Sequence, residues 1–262
     1  MASHPPVVAL TIAGSDSGAG AGIQADLKTF AALGVYGVTA ITAVTAQNTQ
    51  VVSAVQAMKP ATVLAQIGAV ISDFQVAALK TGMLVNATIV QTVARAIRSA
   101  RLGPLVVDPV MVAKSGDRLL DERAVESLVT ELLPLAAIVT PNLPEAEAMA
   151  GLPIRTLDDQ REAARRIVGL GARAAVVKGG HLESAEIVDV LFDGHTITEF
   201  RHARVRGTST HGTGCTFSAA ITAQLALGRD IKEAIPLAQA YVAKAILNAP
   251  NLGGGHGPMG HL

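Results

Sequence analysis

The residues best suited to chemistry stand where a late helix begins, at Thr210-His211-Gly212-Thr213-Gly214-Cys215-Thr216. Glycines at a helix start let backbone N–H groups converge on an anion, and the helix dipole favours negative charge there. Gly212, Thr213 and Gly214 therefore read as an anion cradle, with the Thr213 hydroxyl as an added donor. A transferring phosphoryl group, whose charge sits on its peripheral oxygens, suits such a cradle. Cys215 follows in the first turn, where a thiolate is favoured. It could take a proton from a substrate hydroxyl or act as a nucleophile. A free cysteine without context is more often a small buried hydrophobe, but beside Gly-Thr-Gly the functional reading is the stronger. His211 is adjacent in sequence, which says nothing of geometry.

Other chemistry-bearing groups follow apolar runs. Asp108 closes one run and precedes Pro109; Asn142 and Glu145 follow another as Asn-x-x-Glu. Mg²⁺ prefers few carboxylates plus waters and phosphate oxygens, so Asp108 and Glu145 are candidate metal groups, directly or through water. Asn142 and Glu145 also fit a helix N-cap with an acid at N3, and both roles can hold. Lys178, before Gly179-Gly180, is a candidate for nucleotide phosphates. The loop Gly14 to Gly22 lacks the Gly-Lys-Ser/Thr ending of a Walker A motif. Gly20-Ala21-Gly22-Ile23-Gln24-Ala25 fits a dinucleotide fingerprint, but no acid lies between Lys28 and Met58. An NAD(P)-binding oxidoreductase is thus a weak alternative. In the next helix Ile23, Leu27, Phe30 and Leu33 form an apolar stripe, and helical spacing puts Asp26 inside it. Two readings stand: an Asp satisfied by backbone donors or a buried cation, or an Asp aimed at a polar ligand.

These residues need a scaffold. Apolar, β-branched runs at 7–13, 38–45, 77–81, 105–110, 137–140 and 174–178 alternate with helical spacing at 60–73, 86–100, 121–132 and 157–169. That alternation predicts an α/β fold with a mostly parallel sheet covered on both faces. Residues 187–200 read as a hairpin around Asp193-Gly194, an antiparallel edge. Two helices, 214–227 and 230–248, end the pattern. No linker or repeat divides the chain, so residues 1–262 read as one domain. The strands end in polar or Gly-rich residues, where open α/β sheets bind ligands. Lys+Arg equals Asp+Glu at 21 each, and no basic run appears; this argues against a nucleic-acid or membrane-surface partner. The single Cys excludes an internal disulfide. No apolar run reaches membrane-spanning length, and a cytoplasmic location is the default expectation.

Taken in order, these pieces resemble a known family. Ala13–Asp26, Thr45-Ala46-Gln47-Asn48-Thr49, Lys80-Thr81-Gly82-Met83, Asp108-Pro109-Val110, Thr140–Ala146, Val177-Lys178-Gly179-Gly180-His181, His211–Cys215 and the tail Gly255-His256-Gly257-Pro258 are similar to the bacterial hydroxymethylpyrimidine/phosphomethylpyrimidine kinases of thiamine biosynthesis, in the ribokinase-like superfamily. The resemblance covers almost the whole chain. It implies a ribokinase-like three-layer sandwich. The implied reaction is ATP- and Mg²⁺-dependent phosphorylation of 4-amino-5-hydroxymethyl-2-methylpyrimidine, then of its monophosphate. By the same resemblance Gln47 bonds the pyrimidine edge, Asp26 sits near substrate polar groups, and Gly14, Met83 and Val110 line the ring pocket. Gly212 to Gly214 form the anion hole, with Cys215 as base where related sugar kinases carry Asp. Asp108 and Glu145 serve the metal, Asn142 and Lys178 the nucleotide, and the protein is a homodimer. A vitamin B6 (pyridoxine or pyridoxal) kinase of the same fold is the nearest alternative, although the Gly-Thr-Gly-Cys turn points to the pyrimidine enzyme. A non-catalytic pyrimidine or nucleotide sensor is a further one.

Overall fold

A computed structural model describes residues 5–111, 120–180, 186–205 and 209–261. His181, part of one matched motif, lies outside the described residues. The first apolar run becomes β1 (Val8–Asp16), and the Gly-rich loop leads into α1 (Gly22–Ala32). There follow β2 (Tyr36–Gln47), β3 (Val52–Ala57), α2 (Pro60–Ile71), β4 (Val76–Thr81), α3 (Ala87–Ala100) and β5 (Leu105–Val107). Then come α4 (Glu122–Ser127), β6 (Ala136–Val139), α5 (Leu143–Ala150), α6 (Leu157–Gly169) and β7 (Ala175–Val177). The chain closes with β8 (Glu186–Phe192), β9 (Ile197–Ala203), α7 (Thr213–Ala226) and α8 (Ile231–Leu247).

Among the described residues, nine strands join one sheet in the order β3-β2-β1-β4-β5-β6-β7-β8-β9. The interior pairings from β2 to β7 are parallel. Antiparallel strands close both edges: β3 beside β2, and the β8–β9 hairpin beside β7. The hairpin was legible from Asp193-Gly194: the Asp193 carboxylate accepts from the His195 and Thr196 N–H groups, and Gly194 has φ 89°. β3 was not anticipated. Its residues are mostly exposed, so no alternation of apolar and polar residues marks it. The helix read over 121–132 is also different. It is α-helical only to Ser127, then widens into a π-helical stretch, Leu128–Leu132, and tightens into a 3₁₀ turn, Leu133–Leu135, that contains Pro134.

The strand residues alternate between two cores. Leu105, Val107, Val139 and Val177 belong to the larger one, under helices α2 to α6. Val106, Ile138 and Val176 face the other, with Phe217, Ala220 and Ile221 of α7 and Ala234, Ile235 and Ala238 of α8. α7 is buried without a break from Thr216 to Gln224. Small side chains on all its faces let it lie between the sheet, α1 and α8. The strand order reverses beside β1: the path steps to β2 on one side and to β4 on the other. Ligands of open α/β sheets bind in the crevice beyond the strand ends at such a switch point.

One ion pair stands in the middle of this crossing. The Lys80 Nζ of β4 lies 2.7 Å from the Asp26 carboxylate of α1, and both side chains are completely buried. The Thr11 hydroxyl of β1 donates to the same carboxylate at 2.6 Å. Burial opposes charge on both groups, yet the nearby carboxylate outweighs it at Lys80, which is held above its ordinary value. Of the two readings of Asp26, the structure realises the buried cation. Asp26→Ala should therefore lower unfolding free energy in urea by about 3–5 kcal/mol, because it strands a buried ammonium. Asp26→Leu combined with Lys80→Met should recover most of that loss; a double variant no more stable than Asp26→Ala would count against the account.

Candidate active site

A cavity of about 1200 Å³ opens along the carboxyl ends of the parallel strands. Every residue singled out for the site lines it except Asp26. That exception corrects the expectation of Asp26 beside the substrate: its carboxylate is committed to Lys80 and Thr11 beneath the cavity floor.

The anion cradle forms at α7. Gly212 caps the helix with φ 82° and supplies no side-chain cap, so the first N–H groups have no intrahelical acceptor. Only glycine fits there, because a Cβ would collide with the Gly20 carbonyl. The N-terminus of α1, at Ala21 and Gly22, opens on the same cavity, with the Ala21 N–H held by the Asp16 carboxylate at 2.8 Å. Two positive dipole ends thus converge. The Cβ position of Gly214 would lie 3.5 Å from Lys178 Nζ, so the first turn of α7 faces that ammonium. Thr213 departs from expectation: its hydroxyl donates to the Thr210 carbonyl at 2.7 Å and braces the turn.

Cys215 lines the cavity between the two helix starts. Its thiol is pushed up to about 12. Burial is the main cause, and Asp108 and Asp26 add to it. Lys80 and the Gly22 N–H pull the other way without overcoming it. The thiolate expected at a helix start is therefore not the resting form, because desolvation outweighs the dipole.

Asp108 follows β5, accepts from the Ser218 hydroxyl at 3.1 Å, and lies 3.7 Å from Lys178 Nζ. Glu145 completes the capping box of α5: Asn142 Oδ1 accepts from the Glu145 N–H at 2.9 Å, and the Glu145 carboxylate from the Asn142 N–H at 2.8 Å. With its oxygen in the cap, Asn142 keeps its amide N–H groups for a ligand. Glu145 is pushed up to about 7, first by burial and then by Asp108, against the pull of Lys178. Two carboxylates on one cavity wall with too little positive charge suit a divalent cation. Among the described residues, no three His, Cys, Asp or Glu side chains form a metal-binding group. This donor set fits Mg²⁺ completed by waters and phosphate oxygens rather than a protein cage.

Gln47, at the end of β2, lines the cavity with Gly14, Met83 and Val110. Two further residues there were given no role from sequence. Asp16 accepts from the Gly18, Gly20 and Ala21 N–H groups at 2.8, 3.0 and 2.8 Å. His211 Nε2 stands 2.9 Å from Asp16 and 3.2 Å from the Gln47 amide. The Gly-x-Gly signal is thereby explained. A Cβ at Gly20 would strike the His211 ring, and one at Gly22, whose φ is 58°, would strike the Gly14 carbonyl. The glycines admit a histidine and a close turn. Ile187, Phe217, Val242 and Ile246 supply apolar lining to the same cavity.

Residues 16–260 match the family model described as phosphomethylpyrimidine kinase. The chain is 48% identical to the hydroxymethylpyrimidine/phosphomethylpyrimidine kinase of Bacillus subtilis, covering 97% of this chain and 94% of that one. It is 52% identical to the protein of that name from Rhizobium meliloti, with 97% of each covered. It is also 50% identical to a thiamine biosynthesis bifunctional protein of Geobacter sulfurreducens, but spans only 53% of that longer protein's length. Among solved structures, the ADP complex of Bacillus subtilis pyridoxal kinase has TM-score 0.90 at 41% identity over 98% of each chain. The phosphomethylpyrimidine kinase of Clostridium difficile has TM-score 0.82 at 44% identity, over 92% of this chain and 99% of that one. With its ribokinase-like sandwich and a family match spanning nearly its whole length, the chain belongs to the phosphomethylpyrimidine kinase family.

Proposed function

We propose that this protein uses ATP and Mg²⁺ to phosphorylate 4-amino-5-hydroxymethyl-2-methylpyrimidine, and then the monophosphate to the diphosphate, in thiamine biosynthesis. The observation that carries the proposal is the meeting of two helix starts, Lys178, two carboxylates and Cys215 at one point of the cavity. Phosphoryl transfer is catalysed mainly by positioning and charge stabilisation, and this point offers both. The cavity has room for a small ring and a nucleotide side by side.

In this reading the ring lies among Gly14, Met83 and Val110, with its polar edge on Gln47. The nucleotide base packs against the apolar lining from α7 and α8, and Lys178 and Asn142 meet its phosphates. Asp108 and Glu145 would hold Mg²⁺, which when bound supplies positive charge between the phosphate oxygens. The backbone N–H groups of Gly212 to Gly214 receive the transferring group. Cys215 is the acceptor for the hydroxyl proton. It must first be deprotonated itself, a state favoured by Lys80 and Gly22 and opposed by burial. A homodimer is part of the proposal; exposed Val44 and Val55 beside the β3 edge offer an apolar face for it. Among the described residues no helix is long and apolar enough to cross a membrane.

Pyridoxal phosphorylation is a second reading, favoured by one observation: the Staphylococcus aureus pyridoxal kinase in complex with AMP-PCP and pyridoxal has TM-score 0.90 at 37% identity. Purified protein with ATP and Mg²⁺ separates the readings. Successive mono- and diphosphate products from the aminopyrimidine are expected; strong preference for pyridoxine would overturn the substrate assignment, and binding without ADP formation would indicate a sensor.

Cys215→Ala should lower turnover by about 10²-fold or more while nucleotide still binds; near-normal turnover would remove Cys215 from proton transfer. With the thiol pushed up to about 12, thiolate is scarce at neutral pH and grows tenfold per pH unit. Iodoacetamide labelling of Cys215 in the ligand-free protein should keep accelerating from about pH 7 to 10. A plateau in that interval would mean a thiol far more acidic than its surroundings dictate. Gln47→Ala should raise KM for the aminopyrimidine more than KM for ATP, by about tenfold in their ratio; parallel losses would point to damage to the fold instead.

A further inference from the structure

We infer that His211, held by Asp16, sets which way round the Gln47 amide lies, and so the donor–acceptor order that the cavity presents to its ring substrate. The inference rests on the reading of Gln47 as the ring contact. Its evidence is the proton bookkeeping around one nitrogen. His211 Nε2 is 2.9 Å from Asp16 Oδ2. That carboxylate already accepts from three backbone N–H groups and offers only lone pairs. Nε2 must therefore carry a hydrogen. The same nitrogen is 3.2 Å from the Gln47 Nε2, and Thr45 Oγ1 is 3.2 Å from the Gln47 Oε1, two atoms that a half-turn of the terminal amide exchanges.

An amide N–H₂ facing the Nε2–H would oppose donor to donor. With the amide oxygen on the His211 side, the oxygen shares the Nε2–H with the Asp16 carboxylate. The amide nitrogen then donates to Thr45 Oγ1, whose own hydrogen goes to the Ser15 carbonyl at 3.1 Å. In the reverse orientation the Thr45 hydrogen is the one shared, between two carbonyl oxygens, and the amide N–H₂ is left facing the Nε2–H; that donor–donor contact decides against it.

Little else in the cluster is free to turn. The His211 side chain is 12% exposed and fills the space that Gly20 leaves by lacking a Cβ. The His211 backbone N–H donates to the Gly257 carbonyl, which ties this segment to the tail. The backbone of Gln47 is clasped by Ser17, which accepts from its N–H at 2.8 Å and donates to its carbonyl at 2.7 Å. A half-turn of the terminal amide leaves the side chain in place, so polarity decides between its two orientations.

The consequence falls on substrate orientation. An aminopyrimidine has a ring-nitrogen acceptor beside an amino donor, and a primary amide matches both at once. Reversing the amide would require the ring to turn over, carrying its hydroxymethyl group away from Cys215. A pyridoxine ring has no such amino group beside its nitrogen, so it gains less from the lock. His211 and Asp16 are thus positioning residues for specificity.

Two measurements test this. In ¹⁵N NMR of the full-length protein, the His211 Nε2 should be protonated at pH 7–8 with or without substrate; an unprotonated Nε2 overturns the lock. In steady-state kinetics His211→Phe, which keeps a ring beside Gly20 but no N–H, should lower kcat/KM for the aminopyrimidine by about tenfold. KM for ATP should stay within about twofold and pyridoxine should suffer less, so the ratio of the two ring substrates falls. Equal losses on both rings and ATP, or no loss, would overturn the proposal. Should the wild-type protein turn over neither ring, the kinase reading falls, while the NMR measurement still decides the state of the histidine.

Discussion

A lysine ammonium sealed inside an aliphatic sheet is tolerable only with a carboxylate against it, and the Asp26–Lys80 contact is the constraint around which this molecule is arranged. It joins β1 through Thr11, α1 through Asp26 and β4 through Lys80, the elements that meet where the strand order reverses. The Lys80 ammonium also approaches the Cys215 carbonyl at 3.5 Å, in the first turn of α7. Both helix starts that face the cavity are thereby referred to one buried charge pair. The positions of the anion cradle and of the thiol follow from it.

Above that pair the cavity separates two kinds of work. At one end, dipole ends and Lys178 concentrate positive potential beside Asp108 and Glu145. At the other, an aliphatic wall carries a single clasped amide. Under the proposed reaction, charge would serve the group that moves, and shape with directed hydrogen bonds the group that receives it. Asp16 belongs to both ends. It closes the Gly-rich loop leading to the α1 start and holds the histidine beside Gln47.

Much of this was legible because its signals are local. The Asn142–Glu145 box, the Asp193-Gly194 hairpin and the glycines before α7 each write their geometry within a few residues. Other features depend on partners that no local pattern reveals. Helical spacing put Asp26 on a buried face, but its cation is 54 residues away. His211 and Asp16 are 195 residues apart, so neither announced the other. Cys215 was misjudged in its resting state because a helix start is visible in sequence, whereas the depth of burial opposing it is not. β3 left no mark because neither of its faces is buried enough to demand a pattern.

The unbroken burial of α7 from Thr216 to Gln224 bears on how such proteins diversify. A helix with neighbours on every side cannot accept a larger residue at any of those positions without displacing the sheet, α1 or α8. Its cavity-facing end is therefore inherited almost as a casting. Drift in substrate preference has to occur in the strand-end loops, where side chains border open space. Proteins named for pyridoxal and for phosphomethylpyrimidine share this fold at TM-scores of 0.90 and 0.82, as expected if the transfer machinery stays put while the ring pocket is rewritten around it.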